Sequence, residues 1–159
     1  MTATLIDGKQ MAEEIRAEIA RDVAALAERS GIKPGLAAVL VGEDPASAIY
    51  VRNKRRACEE AGIFSETFDM PASTKQDELL AVVERLNADD RFHGILVQLP
   101  LPPQIDERAV IMTIDPDKDV DGLHPTNGGR LLEGRPRFLP ATPAGVQVML
   151  MRTGNDPSG

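Results

Sequence analysis

The sequence predicts a single α/β domain: a parallel sheet covered by helices on both faces, in three layers. Three observations predict it. Helix-period and strand-period segments alternate along the chain; two strand segments are continuously apolar; and the stretches between successive strands are ten residues or longer. Continuous apolar strands are buried on both faces, and crossovers of that length join parallel neighbours, usually through a right-handed helical connection. The chain has 159 residues, of which 42% are hydrophobic and 27% charged, enough to bury a sizeable core.

Taken in order, residues 7–30 form a helix, because Met11, Ile15, Ile19, Val23 and Leu26 recur at spacings of three and four. Asp7 is its N-cap, and Gly31 with Pro34 stops it. Leu36 to Val41 is the first buried strand. A second helix runs from Ser47 to Ala61 and ends at Gly62. Ile63 to Met70 alternates loosely and forms a strand. Thr74 to Asn87 is a helix with Leu79, Leu80, Val83 and Leu86 on one face. His93 to Leu99 is the second continuous apolar strand. Beyond Pro103 comes a short helix over 105–114, then an Asp/Gly/Pro/Asn-rich loop to Arg137. A final helix starts near Pro143 with Thr142 as N-cap. Gly154 to Gly159 has the composition of an interdomain linker.

Composition excludes several classes of function. No apolar run approaches the roughly 18–20 residues that span a bilayer. The first nine residues carry Asp7 and no apolar core, so they lack a secretory pattern. A net charge of −7 argues against a dedicated nucleic-acid binder. One cysteine, Cys58, permits no internal disulfide and no multi-cysteine metal site, and suits a reducing, cytoplasmic compartment.

Ligands of open α/β sheets bind at the carboxyl ends of strands, so Gly42 to Pro45 and Gln98 to Pro102 are expected to line one crevice. Tyr50 and Lys54, four apart on a helix, share a face that can look into it. Tyr50 offers a flat ring. Lys54 is crowded by Arg52, Arg55 and Arg56, and like charge pushes a lysine toward the neutral form that acts as a base. The competing reading is a basic, solvated helix face. Gln98 interrupts an apolar strand; a buried amide needs partners, and Lys54, a ligand or a loop are the candidates.

Asp115, Asp117, Asp119 and Asp121 put four carboxylates in seven residues. A calcium loop fails, because the twelfth position counted from Asp117 is Gly128 rather than Glu. A turn presenting one carboxylate into the crevice fits better. His93 and His124 lack the neighbours of a zinc site, so no metal centre is expected. No glycine-rich G-x-G-x-x-G turn follows any strand, and there is no Walker A segment or G-x-S-x-G elbow.

Four segments together carry a resemblance. Asp44-Pro-Ala-Ser-Ala-Ile-Tyr-Val-Arg-Asn-Lys54, Gly94-Ile-Leu-Val-Gln-Leu-Pro-Leu-Pro102 and Asp115-Pro-Asp-Lys-Asp-Val-Asp-Gly-Leu-His-Pro125 resemble, in order, three signatures of the bifunctional methylenetetrahydrofolate dehydrogenase/methenyltetrahydrofolate cyclohydrolases. Pro140 to Gly145 is similar to the segment that opens the family's interdomain helix, with Ala141 where the family usually has cysteine.

The resemblance implies one-carbon metabolism: oxidation of 5,10-methylenetetrahydrofolate by hydride transfer to NADP⁺, or NAD⁺ in some members, then hydrolysis to 10-formyltetrahydrofolate. By the same resemblance Lys54 is the catalytic lysine, Gln98 tunes its proton, Tyr50 stacks on the folate rings and Asp121 holds the pterin edge. Ser47, Val97, Leu99 and Pro100 line the same pocket. Residues 1–140 correspond to the folate-binding catalytic domain and 141–159 to the interdomain helix and linker. The family continues into a Rossmann-like dinucleotide-binding domain, so this chain alone is expected to lack dehydrogenase activity. A homodimer is expected of the parent protein, and the state of this piece is open. A relative with one of the two activities, or a folate-binding domain without catalysis, are the alternative readings.

Overall fold

A computed structural model describes residues 5–158, with Ala48 described by its backbone. Met1 to Thr4, where the reading of the N-terminus begins, and Gly159, the last residue of the linker, lie outside them.

The first helix, α1, spans Gly8–Ser30; Asp7 caps it by accepting from the Lys9 and Gln10 amides, and Gly31 ends it at φ 69°. Strand β1 (Gly35–Val41) follows, then helix α2 (Pro45–Glu60), strand β2 (Phe64–Met70), helix α3 (Gln76–Ala88) and strand β3 (Gly94–Val97). The three strands form one parallel sheet in the order β2-β1-β3, with Gly35 opposite Phe64 and Leu36 opposite Gly94. The expected α/β architecture is therefore present.

The period of two in β1 divides the core between two faces. Ala37, Val39 and Val41 join Ile95 and Val97 against Leu79, Val83 and Leu86 of α3. Three further core side chains, Ile105, Val110 and Ile114, come from the next segment, where helix α4 spans Glu107–Thr113. On the opposite face Ala38 and Leu40 pack against Val51 of α2. Each such aliphatic side chain contributes on the order of 1.5–3 kcal/mol when fully buried. Phe92, at the foot of β3, is 1% exposed and lies between Phe64 and Phe68.

Several boundaries differ from the sequence reading by one or two residues, and one helix is unexpected. The second helix starts two residues earlier, at Pro45, because Asp44 is the true cap and accepts from the Ser47 amide at 2.7 Å. The third strand stops at Val97, so Gln98 stands just beyond it. The long loop to Arg137 holds a further helix, α5 (Pro125–Leu132), with His124 as N-cap and Pro125 in its first turn. Two adjacent glycines and a threonine hid it, since they depress helix propensity. The last helix, α6 (Ala141–Arg152), begins before Thr142; its N-cap is Pro140, which makes no side-chain capping bond.

Candidate active site

The carboxyl ends of β1 and β3 adjoin in the parallel sheet, and the β1–α2 and β3–α4 connections leave from that end. The first turns of α2 bring Ser47, 3% exposed, under the helix, and turn Tyr50 outward at 60% exposure. One turn on, Lys54 is half-buried and its Nζ donates to Gln98 Oε1 at 3.2 Å. Gln98 Nε2 donates to the Leu99 carbonyl at 2.8 Å, and the Gln98 amide N–H donates to Val39 O. The amide is thus held at both ends, with its oxygen facing the lysine. Of the candidate partners named for Gln98, both Lys54 and the loop are bonded, the lysine at its oxygen and the Leu99 carbonyl at its nitrogen.

The charge around Lys54 differs from the expected crowd of arginines. Arg55 pairs with Glu59 and Arg56 with Glu60, each one turn along the exposed side of α2. The charge that does face Lys54 is a carboxylate, Asp121. Burial pushes the Asp121 carboxyl above the usual carboxylate range, the ammonium of Lys54 draws it part of the way back, and Asp119 nearby adds to the rise. Asp121, Val97 and Leu99 line one small cavity together with Asp119 and side chains of α4. Val97 is buried, Leu99 half-buried and Pro100 exposed beyond a cis Leu99–Pro100 peptide.

The members of the acidic run do different things. Asp115 Oδ1 accepts from the Asp117 amide in a turn, and Asp117 pairs with Arg130 at 2.9 Å. Asp119 is 2% exposed and accepts from the His124 amide and from Asn127 Nδ2. Asp121 alone is left facing the cavity without a protein donor among the described residues. The carboxylates diverge, so they do not converge as ligands of one cation. His93 Nδ1 accepts from the Gly35 amide, and His124 Nδ1 from the Thr126 amide; both are backbone anchors.

The sequence reading missed the scaffold beneath Asp121. Ile95 N–H donates to Lys118 O at 2.7 Å, and Ile95 bridges to Asp119 in parallel, so residues 118–119 lie along the free edge of β3. Lys118 Nζ donates to the carbonyls of Leu86, Asn87 and Asp89 at the end of α3. No sequence signal marks Lys118 as a clamp on so distant a helix end. Asn127, inside a glycine-rich stretch, gives equally little sign of being buried.

A family model described as the tetrahydrofolate dehydrogenase/cyclohydrolase catalytic domain matches residues 6–121. The chain belongs to this family. Among its curated relatives, the bifunctional protein FolD of Geotalea daltonii is 55% identical over 157 residues, covering 99% of this chain and 56% of the relative. The crystal structure of the bifunctional enzyme FolD, methylenetetrahydrofolate dehydrogenase/cyclohydrolase, from Campylobacter jejuni superposes with a TM-score of 0.94. It is 44% identical, over 98% of this chain and 55% of that one. The Trypanosoma brucei methylenetetrahydrofolate dehydrogenase-cyclohydrolase, crystallised with NADP cofactor and an inhibitor, has a TM-score of 0.93 at 39% identity, over 97% of this chain and 53% of that one. This member of the family therefore spans about half the length of the relatives it matches. The matched residues hold the Lys54–Gln98 pair and end on Asp121.

Proposed function

We propose that this chain supplies the folate-binding half of a methylenetetrahydrofolate dehydrogenase/methenyltetrahydrofolate cyclohydrolase. The observation that supports it most is the Lys54 Nζ–Gln98 Oε1 hydrogen bond beside the half-buried carboxylate of Asp121. A folate presents a flat fused heterocycle with N–H donors on one edge. Tyr50, exposed at the cleft, stacks on the ring, and Asp121 accepts from the pterin donors. Burial of Asp121 strengthens those hydrogen bonds and keeps water from competing for them. Ser47, Val97, Leu99 and Pro100 complete the walls.

In the hydrolytic step water attacks the bridge carbon of the methenyl cation. Lys54 takes a proton from that water, then returns one to N5 as the carbon–N5 bond breaks. The hydroxyl proton leaves to solvent as the formyl C=O forms on N10. Gln98 accepts one N–H of the lysine and so aims the remaining nitrogen valence at the reacting carbon. The oxidative step needs NADP⁺, or NAD⁺, as hydride acceptor. The described residues do not fit that cofactor's pyrophosphate: the helix start after β1 is filled by the Asp44 carboxylate, which repels phosphate where a dinucleotide fold would cradle it. Residues 1–140 then act as the catalytic domain and 141–159 as the interdomain helix and linker, with the isolated chain lacking dehydrogenase activity. The parent works as a homodimer in the cytoplasm. No helix among the described residues is long and apolar enough to cross a membrane, and the single thiol is buried.

Lys54→Met, which removes the amine at similar length, tests the assignment. Hydrolysis of 5,10-methenyltetrahydrofolate falls by about 100-fold or more, the range of a lost general base, while tetrahydrofolate still binds. Near-wild-type turnover removes Lys54 from its role. Intact binding with no turnover in either form identifies a folate-binding domain, and assays of both reactions in the full-length protein identify a relative with one activity.

A further inference from the structure

The turn that carries Asp121 is fastened at a point two residues earlier, by the carboxylate of Asp119, which lines the same cavity. Both bonds to Asp119 run to the same oxygen, Oδ2: one from the His124 amide at 2.8 Å, the other from Asn127 Nδ2 at 2.9 Å. Asp119 is 2% exposed and Asn127 1%, so water cannot substitute for either partner. Asn127 is itself tied down, since Nδ2 also donates to Pro116 O and Oδ1 accepts from Arg130. The result is a closed loop from 116 to 127 with Asp121 at its bend, where Gly122 takes φ 66°.

We propose that Asp119 is a positioning residue for Asp121, locking the bend to the first turn of α5 so that the second carboxylate stays in the cavity. The proposal deepens the folate reading, because it concerns the group assigned to the pterin edge. A carboxylate suits this position because it accepts an amide N–H and a side-chain N–H at one oxygen and adds negative charge at a helix N-terminus. The groups facing Asp121 are Lys54 from α2 and Asp119 from its own loop, while β3 and α4 present aliphatic side chains. Losing the Asp119 charge therefore changes how Asp121 titrates, and losing its hydrogen bonds changes where Asp121 sits.

The test compares Asp119→Ala with Asp119→Asn. Because Oδ2 makes both bonds, an asparagine with its carbonyl oxygen in that place keeps them. Tetrahydrofolate binding, measured by calorimetry below the melting transition, weakens about tenfold or more in D119A, as small misplacements of a binding group do. D119N recovers most of that loss. In the ligand-free protein the carboxyl carbon of Asp121, followed by NMR, titrates at lower pH in D119N than in wild type. Should D119A fail to fold, Asn127→Ala, which removes one donor, takes its place. Wild-type binding in the alanine variant, or an Asp121 carboxyl resonance that is unmoved in D119A, overturns the proposal. If Asp121→Asn itself leaves binding intact, the folate assignment of Asp121 falls instead, and the shift of the Asp121 carboxyl resonance in D119A then decides the role of Asp119.

Discussion

Gly94 is the place where a single methyl group would do most to the site without touching it. A Cβ built there meets Val120 Cγ1 at 2.5 Å and Leu36 Cδ1 at 3.4 Å. Ordinary contact begins near 3.4 Å, so Val120 must withdraw by about 1 Å. A valine γ-carbon can move only by rotating a stiff χ1 or by carrying its backbone along. Val120 stands between Asp119 and Asp121, on the segment that pairs with Ile95. Gly94→Ala therefore acts as a wedge between β3 and the arm that holds the carboxylate. Overpacking of this kind costs about 1–3 kcal/mol, or a fall of ~2–10 °C in melting temperature for a domain of this size. A displacement of Asp121 by about 1 Å lowers folate turnover by up to ~100-fold. Differential scanning fluorimetry and a 5,10-methenyltetrahydrofolate hydrolysis assay measure the two effects. Gly128→Ala is the control: nothing lies within 4 Å of its added Cβ in α5, and alanine there gains about 0.5–1 kcal/mol of helix propensity. A G94A protein that melts within about 1 °C of wild type and turns over normally would refute the wedge, because either change alone requires the arm to move.

Two further outcomes follow from charge and burial. Asp121 has its carboxyl raised by burial, so the folded state binds that proton more tightly than the unfolded chain does. The sign is that of a raised acid: its contribution to stability is full below the unfolded carboxylate range and is lost as pH rises through the folded value. Asp121→Asn should therefore melt higher than wild type at neutral pH, with the advantage shrinking in acid, while losing affinity for tetrahydrofolate. A variant less stable than wild type at neutral pH contradicts this. Cys58 is 8% exposed, and burial pushes its thiol above the ordinary range. At neutral pH it should resist a thiol reagent such as Ellman's in the folded protein and react at once in denaturant; rapid reaction in the native state contradicts the burial.

Much of the fold was legible because hydrophobic period is a local property. The apolar runs at Leu36–Val41 and Ile95–Val97, and the heptad-like spacing in α1 and α3, required no knowledge of what packs where. The capping of α1 by Asp7 was legible for the same reason, since donor and acceptor lie two and three residues apart. Helix α5 escaped because two of its eight residues are glycines, while the bonds that hold it run from Asn127 to Pro116 O and Asp119, residues outside the helix. Which arginines are paired away from Lys54 is not legible from their adjacency in sequence. Consecutive residues on a helix point about 100° apart, so Arg55 and Arg56 reach Glu59 and Glu60 while Lys54 turns to the sheet.

The sequence by itself determined the alternation of helix and strand, the burial of the central strands and the motif residues that relate this chain to its family. Only the tertiary structure decided that Asp119 and Asp121 line the cavity and that Asp119 is the one of the two held by protein donors. It also decided that Lys118 closes the end of α3 from far along the chain, and that Lys54 meets Gln98 across 44 positions. Periodicity is written by near neighbours, whereas desolvation and hydrogen-bond geometry depend on groups that only folding brings together.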